Sequence, residues 1–211
     1  MNVSPAKENM LKRIREALAL TTPMPYPQSE KNQGVYPTLA QEPEVEFAEQ
    51  FTKLQGKFIY CINRQELAFQ FASLVRKQDW APIFCAEEKI VALLGEALEE
   101  RLTTTDLAGC QVSVTGCEYL VARTGSIVLS SAQQQGRTAS VYAPIHICIA
   151  FVDQLVEDIK DAMMSAREKY GTQFPSLLTL ATGPSRTADI EKTLVVGVHG
   201  PKEVYLFLVE S

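Results

Sequence analysis

Closely spaced cysteines, histidine and long apolar runs are all scarce in this chain of 211 residues. The five cysteines (Cys61, Cys85, Cys110, Cys117 and Cys148) form no C-x-x-C pair and no ferredoxin-type run, so the chain alone does not read as the holder of an iron–sulfur cluster. His146 and His199 are the two histidines, and neither lies near a cysteine pair, so no zinc site is expected either. Neither metal nor cofactor is expected from these patterns. The apolar runs ICIAFV and LVVGV are too short to cross a bilayer. Positive charge is not in excess: 20 Lys and Arg against 25 Asp and Glu leave a net charge of −5, which argues against nucleic acid or an anionic membrane as the main partner. No Walker pattern, no G-x-G-x-x-G and no nucleophile-elbow serine occurs. The first twenty residues are interrupted by charge and lack the apolar segment of a signal peptide, so a cytoplasmic protein is expected.

What is present is enough for one well-filled domain, since 46% of the residues are hydrophobic. Ser4 and Pro5 open an amphipathic helix with Leu11, Ile14 and Leu18 on one face, giving a first segment over residues 1–20. Residues 21–44 carry Pro23, Pro25, Pro27, Pro37 and Pro43 and read as an extended arm. Helix and arm could dock on the domain, on a second copy in a homo-oligomer, or on another partner.

Residues 45–211 read as an α/β domain. Phe47, Phe51 and Leu54 make a helical stripe closed by Gly56, and FIYCI follows as a strand. Asn63 and Glu66 form a capping-box pattern before Leu67, Phe71, Leu74 and Val75. PIFC is a strand, and Ile90, Leu93, Leu94 and Leu98 mark a further helix. This alternation predicts βαβ units and a mixed, mostly parallel sheet flanked by helices. The parallel sheet is expected to include Phe58–Ile62, Pro82–Cys85 and Leu177–Ala181. QVSV is a strand, residues 118–123 read as helical turns, and Ser126–Ser130 and IHICIAF read as a hairpin-like antiparallel insertion. A long helix is expected from Asp153 to Tyr170, stopped by Gly171. The last strands expected are SLLTLAT and a pair around LVVGV and VYLFLV.

The chemistry concentrates in TGPSRTADIEKTLVVGVHGP, from Thr182 to Pro201. Gly183 permits a tight turn, and Pro184 has the φ that starts a helix. Ser185, Arg186 and Thr187 would then place hydroxyls and a guanidinium beside free N–H groups, as a small anion pocket requires. A plain turn with Ser185 as a cap is the alternative. Asp189 could orient Arg186 or simply sit favourably in a first helical turn. His199, before Gly200-Pro201, is the candidate for proton transfer, although a histidine at a turn also serves as a backbone partner. His146 alternates with apolar residues and reads as a strand position. Glu118 reads as a surface residue, and Cys117 has no sequence neighbour that would lower its pKa.

This signature closely resembles that of the LUD domain family. Supporting matches are VTGCEYLVARTGSIVLSS, from Val114 to Ser131, and RTASVYAPIHICIAF, from Arg137 to Phe151. The resemblance implies the fold of ribose-5-phosphate isomerase and CoA-transferase subunits. It also implies an accessory role in bacterial L-lactate utilisation, in which lactate is oxidised to pyruvate with iron–sulfur partner subunits. A small carboxylate or phosphate would then occupy the pocket of Gly183, Ser185, Arg186, Thr187, Asp189 and His199, with Thr124 and Ser126 reaching it by folding back. The chain departs from the family at Arg123, where many relatives carry an acid, and at Ser126, which replaces a threonine but keeps the hydroxyl. An acid–base role is therefore not carried over to position 123. The other readings are a free-standing enzyme on a small phosphorylated or CoA-linked substrate, and a protein-interaction module.

Overall fold

A computed structural model describes residues 5–19, 39, 41–187 and 195–210. Ser4, most of the proline-rich arm and Asp189 lie outside the described residues. The chain divides into two units, Met1–Thr38 and Leu39–Ser211. In the first, helix α1 (Pro5–Ala19) forms as its spacing predicts, with Leu11, Ile14 and Leu18 exposed.

The second unit begins with α2 (Pro43–Lys53), β1 (Lys57–Cys61), α3 (Arg64–Gln78), β2 (Ile83–Phe84) and α4 (Glu88–Leu94). It continues through β3 (Leu102–Thr103), β4 (Val112–Thr115), β5 (Tyr119–Val121), β6 (Ser126–Ser130), α5 (Ala139–Tyr142) and β7 (Ile145–Phe151). The last elements are β8 (Leu155–Val156), α6 (Ile159–Tyr170), β9 (Leu178–Ala181), β10 (Arg186–Thr187), β11 (Val195–Val196) and β12 (Glu203–Val209). Among the described residues no helix is long and apolar enough to cross a membrane.

Six strands make a wholly parallel sheet in the order β1-β12-β7-β4-β2-β3. Its central strands are buried on both faces, which is why they read as unbroken apolar runs. Tyr205, Phe207 and Val209 of β12, with Ile147 and Ile149 of β7, pack against Leu67, Phe71, Val75, Ile90 and Leu94 of α3 and α4. The alternate residues, Val204, Leu206, Leu208, Cys148 and Ala150, pack against Phe47 and Phe51 of α2 and against Leu120, Ile127 and Leu129 of the second sheet. That sheet has the order β8-β5-β6-β9, with β5–β6 and β6–β9 antiparallel and β5–β8 parallel. Two aromatic side chains that are wholly buried, Phe47 and Phe51, each contribute roughly 1.5–3 kcal/mol to fastening α2 to this core.

Several expectations are corrected by this topology. Leu177–Ala181 does not join the parallel sheet: β9 is half exposed and runs antiparallel to β6, while the fully buried VYLFLV run takes a central parallel position. LVVGV and VYLFLV do not pair, because β11 pairs with β10. Ser126–Ser130 and Ile145–Phe151 form no hairpin, since β6 and β7 belong to different sheets. The expected helical turns at 118–123 are instead the strand β5 and a 3-10 turn at Ala122–Thr124, because Tyr119, Leu120 and Val121 pair with β6. The long helix begins only at Ile159. Asp158 caps it, its side chain and that of Asp161 satisfying each other's backbone N–H groups, and Gly171 ends it with φ +52°. At α3 Asn63 caps the N–H of Glu66, but the Glu66 carboxylate reaches back to Ile62.

The C-terminal end of α2 is enclosed by glycines from two separate segments. A Cβ on Gly125 would stand 2.6 Å from the backbone nitrogen of Phe51, and one on Gly183 would stand 2.9 Å from the carbonyl oxygen of Leu54. Both glycines have positive φ. Behind β4 and β7, the fully buried His146 shares a hydrogen bond of 2.8 Å between its Nε2 and the Thr115 hydroxyl. Burial pushes its pKa down to about 4.

Two outcomes follow from these contacts. Gly125→Ala is expected to destabilise the protein by on the order of 2 kcal/mol, read as a lowered urea midpoint, because both φ and space are wrong for a side chain. For His146, the folded pKa lies below the ordinary 6.5, so the unfolded chain binds more protons in that interval. Stability should therefore fall by roughly 3 kcal/mol as pH drops from 6.5 towards 4, and the His146→Gln variant should lose that part of the slope in urea titrations at stepped pH.

Candidate functional site

Ligands of open parallel sheets sit beyond the carboxyl ends of the strands. There a cleft of about 870 Å³ opens. Glu87 follows β2, Gly116, Cys117 and Glu118 follow β4, Asp153 and Gln154 follow β7, and Arg64 begins α3 after β1. Lys169 and Tyr170 enter from the last turn of α6, and Gln133 and Gln134 enter from the loop after β6.

Glu118 is the organising group. Only 3% of it is exposed, so it is no surface residue, as its sequence context suggested. Its Oε1 accepts from the Ser130 hydroxyl and the Tyr170 phenol, each at 2.6 Å, and its Oε2 accepts from the Lys169 ammonium at 2.6 Å. Burial alone would raise its pKa, but Lys169 and the two hydroxyls outweigh that and hold the carboxyl below its ordinary value. For Lys169, burial lowers and the Glu118 carboxylate raises, and the balance is a raised pKa.

Glu87 is placed differently. Its Oε1 accepts from the N–H of Gly116 at 2.7 Å. Burial comes first among the causes that raise its pKa, the backbone N–H of Gly116 opposes, and the charge of Glu118 adds to the rise. Gln154 braces the floor: its amide donates to the carbonyl of Cys117 at 2.6 Å, and its Oε1 accepts from the N–H of Phe151 at 2.8 Å. Cys117 and Cys148 lie in one packed cluster beneath the cleft, and burial, with each other's proximity, pushes the Cys148 thiol well up.

The sequence-predicted residues lie elsewhere. Because β9 runs antiparallel to its neighbour and belongs to the second sheet, the segment after it arrives at the amino ends of the parallel strands. The N–H of Ser185 donates to the carbonyl of Pro201 at 2.9 Å, and Lys202 donates to the carbonyl of Pro144 just before β7. Pro184 starts no helix: Arg186 and Thr187 form β10, paired with Val196 and Val195. Arg186 donates to the carbonyl of Leu54. That carbonyl stands at the C-terminal cap of α2, where a cation is favoured by the helix dipole. Thr124, Ser126 and Thr182 form a chain of hydroxyls, 2.7 and 2.8 Å apart, beside Gly183. Ser126 thus bonds Thr182 of the C-terminal signature, and Thr124 bonds Ser126. Exposed His199 lines a shallow pocket of about 290 Å³ with Tyr142, Pro144 and Lys202. Arg123, the departure from the family pattern, pairs with the α6 cap Asp158 at 3.3 Å. Lys169, Tyr170 and Glu87 were not singled out by sequence. For Lys169 and Tyr170 the available hint was a cation and a phenol ending a helix, and for Glu87 an acid just past a buried strand.

Replacing Lys169 with Met would leave the Glu118 carboxylate buried with two hydroxyls only. Because half of the lysine side chain is exposed, the loss is expected to be on the order of 2 kcal/mol at neutral pH, below the full cost of breaking a buried pair. Glu118→Gln should cost less, since no buried charge remains. The lowered Glu118 pKa gives stability that is complete above the ordinary 4.5 and lost as pH falls through the folded value. The deficit of Lys169→Met should accordingly shrink in acid, as measured by denaturant midpoints across that range.

Comparison with known proteins gives the chain its family. Lactate utilization protein C of Bacillus licheniformis is 37% identical over 102 residues, covering 47% of this chain and 42% of that protein. The proteins of the same name from Deinococcus radiodurans and Bacillus subtilis are 33% and 35% identical over 112 and 115 residues, covering 53% and 54% of this chain and 52% and 47% of their own lengths. The chain thus spans about half the length of the relatives it matches. The crystal structure of a DUF162 family protein from Deinococcus radiodurans superposes with a TM-score of 0.58 at 20% identity, over 79% of this chain and 96% of that one, and shares the fold. The LUD domain model matches residues 45–209, and the chain belongs to the LUD domain family.

Proposed function

We propose that this protein is a component of a bacterial L-lactate utilisation system, working with iron–sulfur partner proteins that carry the electrons from lactate to an acceptor, and that its carboxyl-end cleft binds a small organic acid. The reading is carried by its relatives, which are named for lactate utilisation and share about a third of their residues with it over the matched stretch. The five cysteines lack cluster spacing, which suits a division of labour in which the partners hold the redox centres.

The cleft suits an organic acid better than the C-terminal signature does, because Arg186 is already engaged by the carbonyl of Leu54. In the cleft, Arg64 and Lys89 line the wall and make no ion pair among the described residues. A carboxylate there would gain charge-assisted contacts worth roughly 1.5–3 kcal/mol each.

The test is reconstitution of L-lactate oxidation from the purified iron–sulfur proteins of one such system, with and without this chain, reading pyruvate formation. Pyruvate is expected to form at full rate only when the chain is added, and Arg64→Ala is expected to lower that rate about tenfold at limiting lactate. An equal rate without the chain would overturn the proposal.

A further inference from the structure

Two of the carboxyl groups that line the cleft, Glu118 and Glu87, have surroundings opposite in kind. Glu118 has three donors on its two oxygens, one of them a cation. Glu87 has one: its Oε1 accepts from the N–H of Gly116 at 2.7 Å. Its Oε2 lies over the same glycine, 3.1 Å from where a Cβ would stand, so a side chain at position 116 would press on the carboxyl. Among the described residues no cation or hydroxyl is bonded to Glu87. A half-buried carboxyl that is held in place by one backbone N–H, and whose other oxygen is left for something in the cleft, is the geometry of a proton-transfer group rather than of a structural ion pair. Its neighbours agree. Glu118 and Cys117 lie across the β4–β5 connection, Cys85 precedes it just after β2, Cys148 lies below on β7, and Glu88 and Lys89 follow on α4. The acid in these surroundings is held towards its neutral form, while Glu118 is held ionised. Separating two carboxyls in this way is how a site assigns one to proton transfer and one to fixed charge.

We propose that Glu87 is the catalytic acid–base residue of the cleft and exchanges a proton with the carbon beside the carbonyl of a bound 2-oxo acid. The proposal rests on the reading of the cleft as an organic-acid site. In the forward step the Glu87 carboxylate takes the proton from that carbon. The C–H electron pair becomes the carbon–carbon double bond of the enolate, and the carbonyl π pair moves onto oxygen. Returning a proton from the carboxylic acid to carbon restores the oxo acid. No oxidant, reductant or co-reactant is needed, and the ligand carboxylate is left to Arg64, whose guanidinium lies 5.7 Å from the centre of the Phe151 ring on the same wall.

The experiment uses the whole chain with pyruvate as the probe in D₂O. Proton NMR follows loss of the methyl signal as deuterium enters, and saturation transfer in the same tube reports binding. The wild-type protein is expected to show saturation transfer and to exchange the methyl protons faster than buffer. Glu87→Gln, which keeps an acceptor for Gly116, should still bind but exchange at least about a hundredfold more slowly, and Glu87→Asp should recover part of the rate. Binding without exchange above buffer would overturn the role of Glu87 and leave the organic-acid reading standing, as would an unchanged rate in Glu87→Gln. No saturation transfer from the wild-type protein would overturn both.

Discussion

A carboxylate cannot be buried to the extent of Glu118 without being neutralised on the spot, and much of the architecture around the cleft is arranged to do so. The donors come from separate places: Ser130 from the end of β6, and Lys169 and Tyr170 from the last turn of α6. Satisfying one charge therefore joins the parallel sheet, through the turn after β4, to the second sheet and to its covering helix. Removing the lysine would leave the buried carboxylate without a counter-charge, and removing a hydroxyl would leave one of its acceptor sites unfilled. The interaction is more a constraint on arrangement than a source of net stability. It requires that α6 run through its last turn, which carries both Lys169 and Tyr170.

The two ends of the parallel sheet have distinct characters. At the carboxyl ends lie an open cleft, a carboxyl with a raised pKa, and Arg64 and Lys89, which make no ion pair among the described residues. At the amino ends the Gly-Pro signature is consumed by structure: Gly183 admits the backbone of Leu54, Arg186 closes the end of α2, and Ser185 holds the turn at Pro201. A motif rich in glycine, hydroxyl and guanidinium can thus be spent on seating one helix. The same chemistry that would recognise an anion recognises the negative end of a helix dipole, and local sequence does not distinguish the two.

What could be read in the sequence follows from range. The central strands were legible because burial on both faces leaves unbroken apolar runs in IHICIAF and VYLFLV, and α3 because its Asn63 cap and apolar stripe are local. The course of Leu178–Ala181 was not, since an apolar run does not say which sheet it joins. Nor was β10, a two-residue strand that exists only through pairing with β11, although β11 itself lies in the expected LVVGV strand. Glu118 was misplaced for the same reason: its lysine is 51 residues away, and a glutamate beside Tyr119 carries no mark of a distant partner.

The sheet order has a bearing on how the chain comes into being. β12 follows the other five strands of the sheet in sequence yet lies between β1 and β7, and its neighbours have no direct contact across that gap in the hydrogen-bonding order. Until it arrives, the first strand of the sheet has nothing to pair with, and Phe71 faces a vacancy where Phe207 will stand, their ring centres 5.6 Å apart in the finished core. Sheet closure is therefore a late, non-local event that joins residues nearly 150 positions apart, as in the pair Lys57 and Tyr205, which are 148 apart. Such pairings are slow to find. Until that pairing forms, the apolar strands it covers stay open to association with other chains.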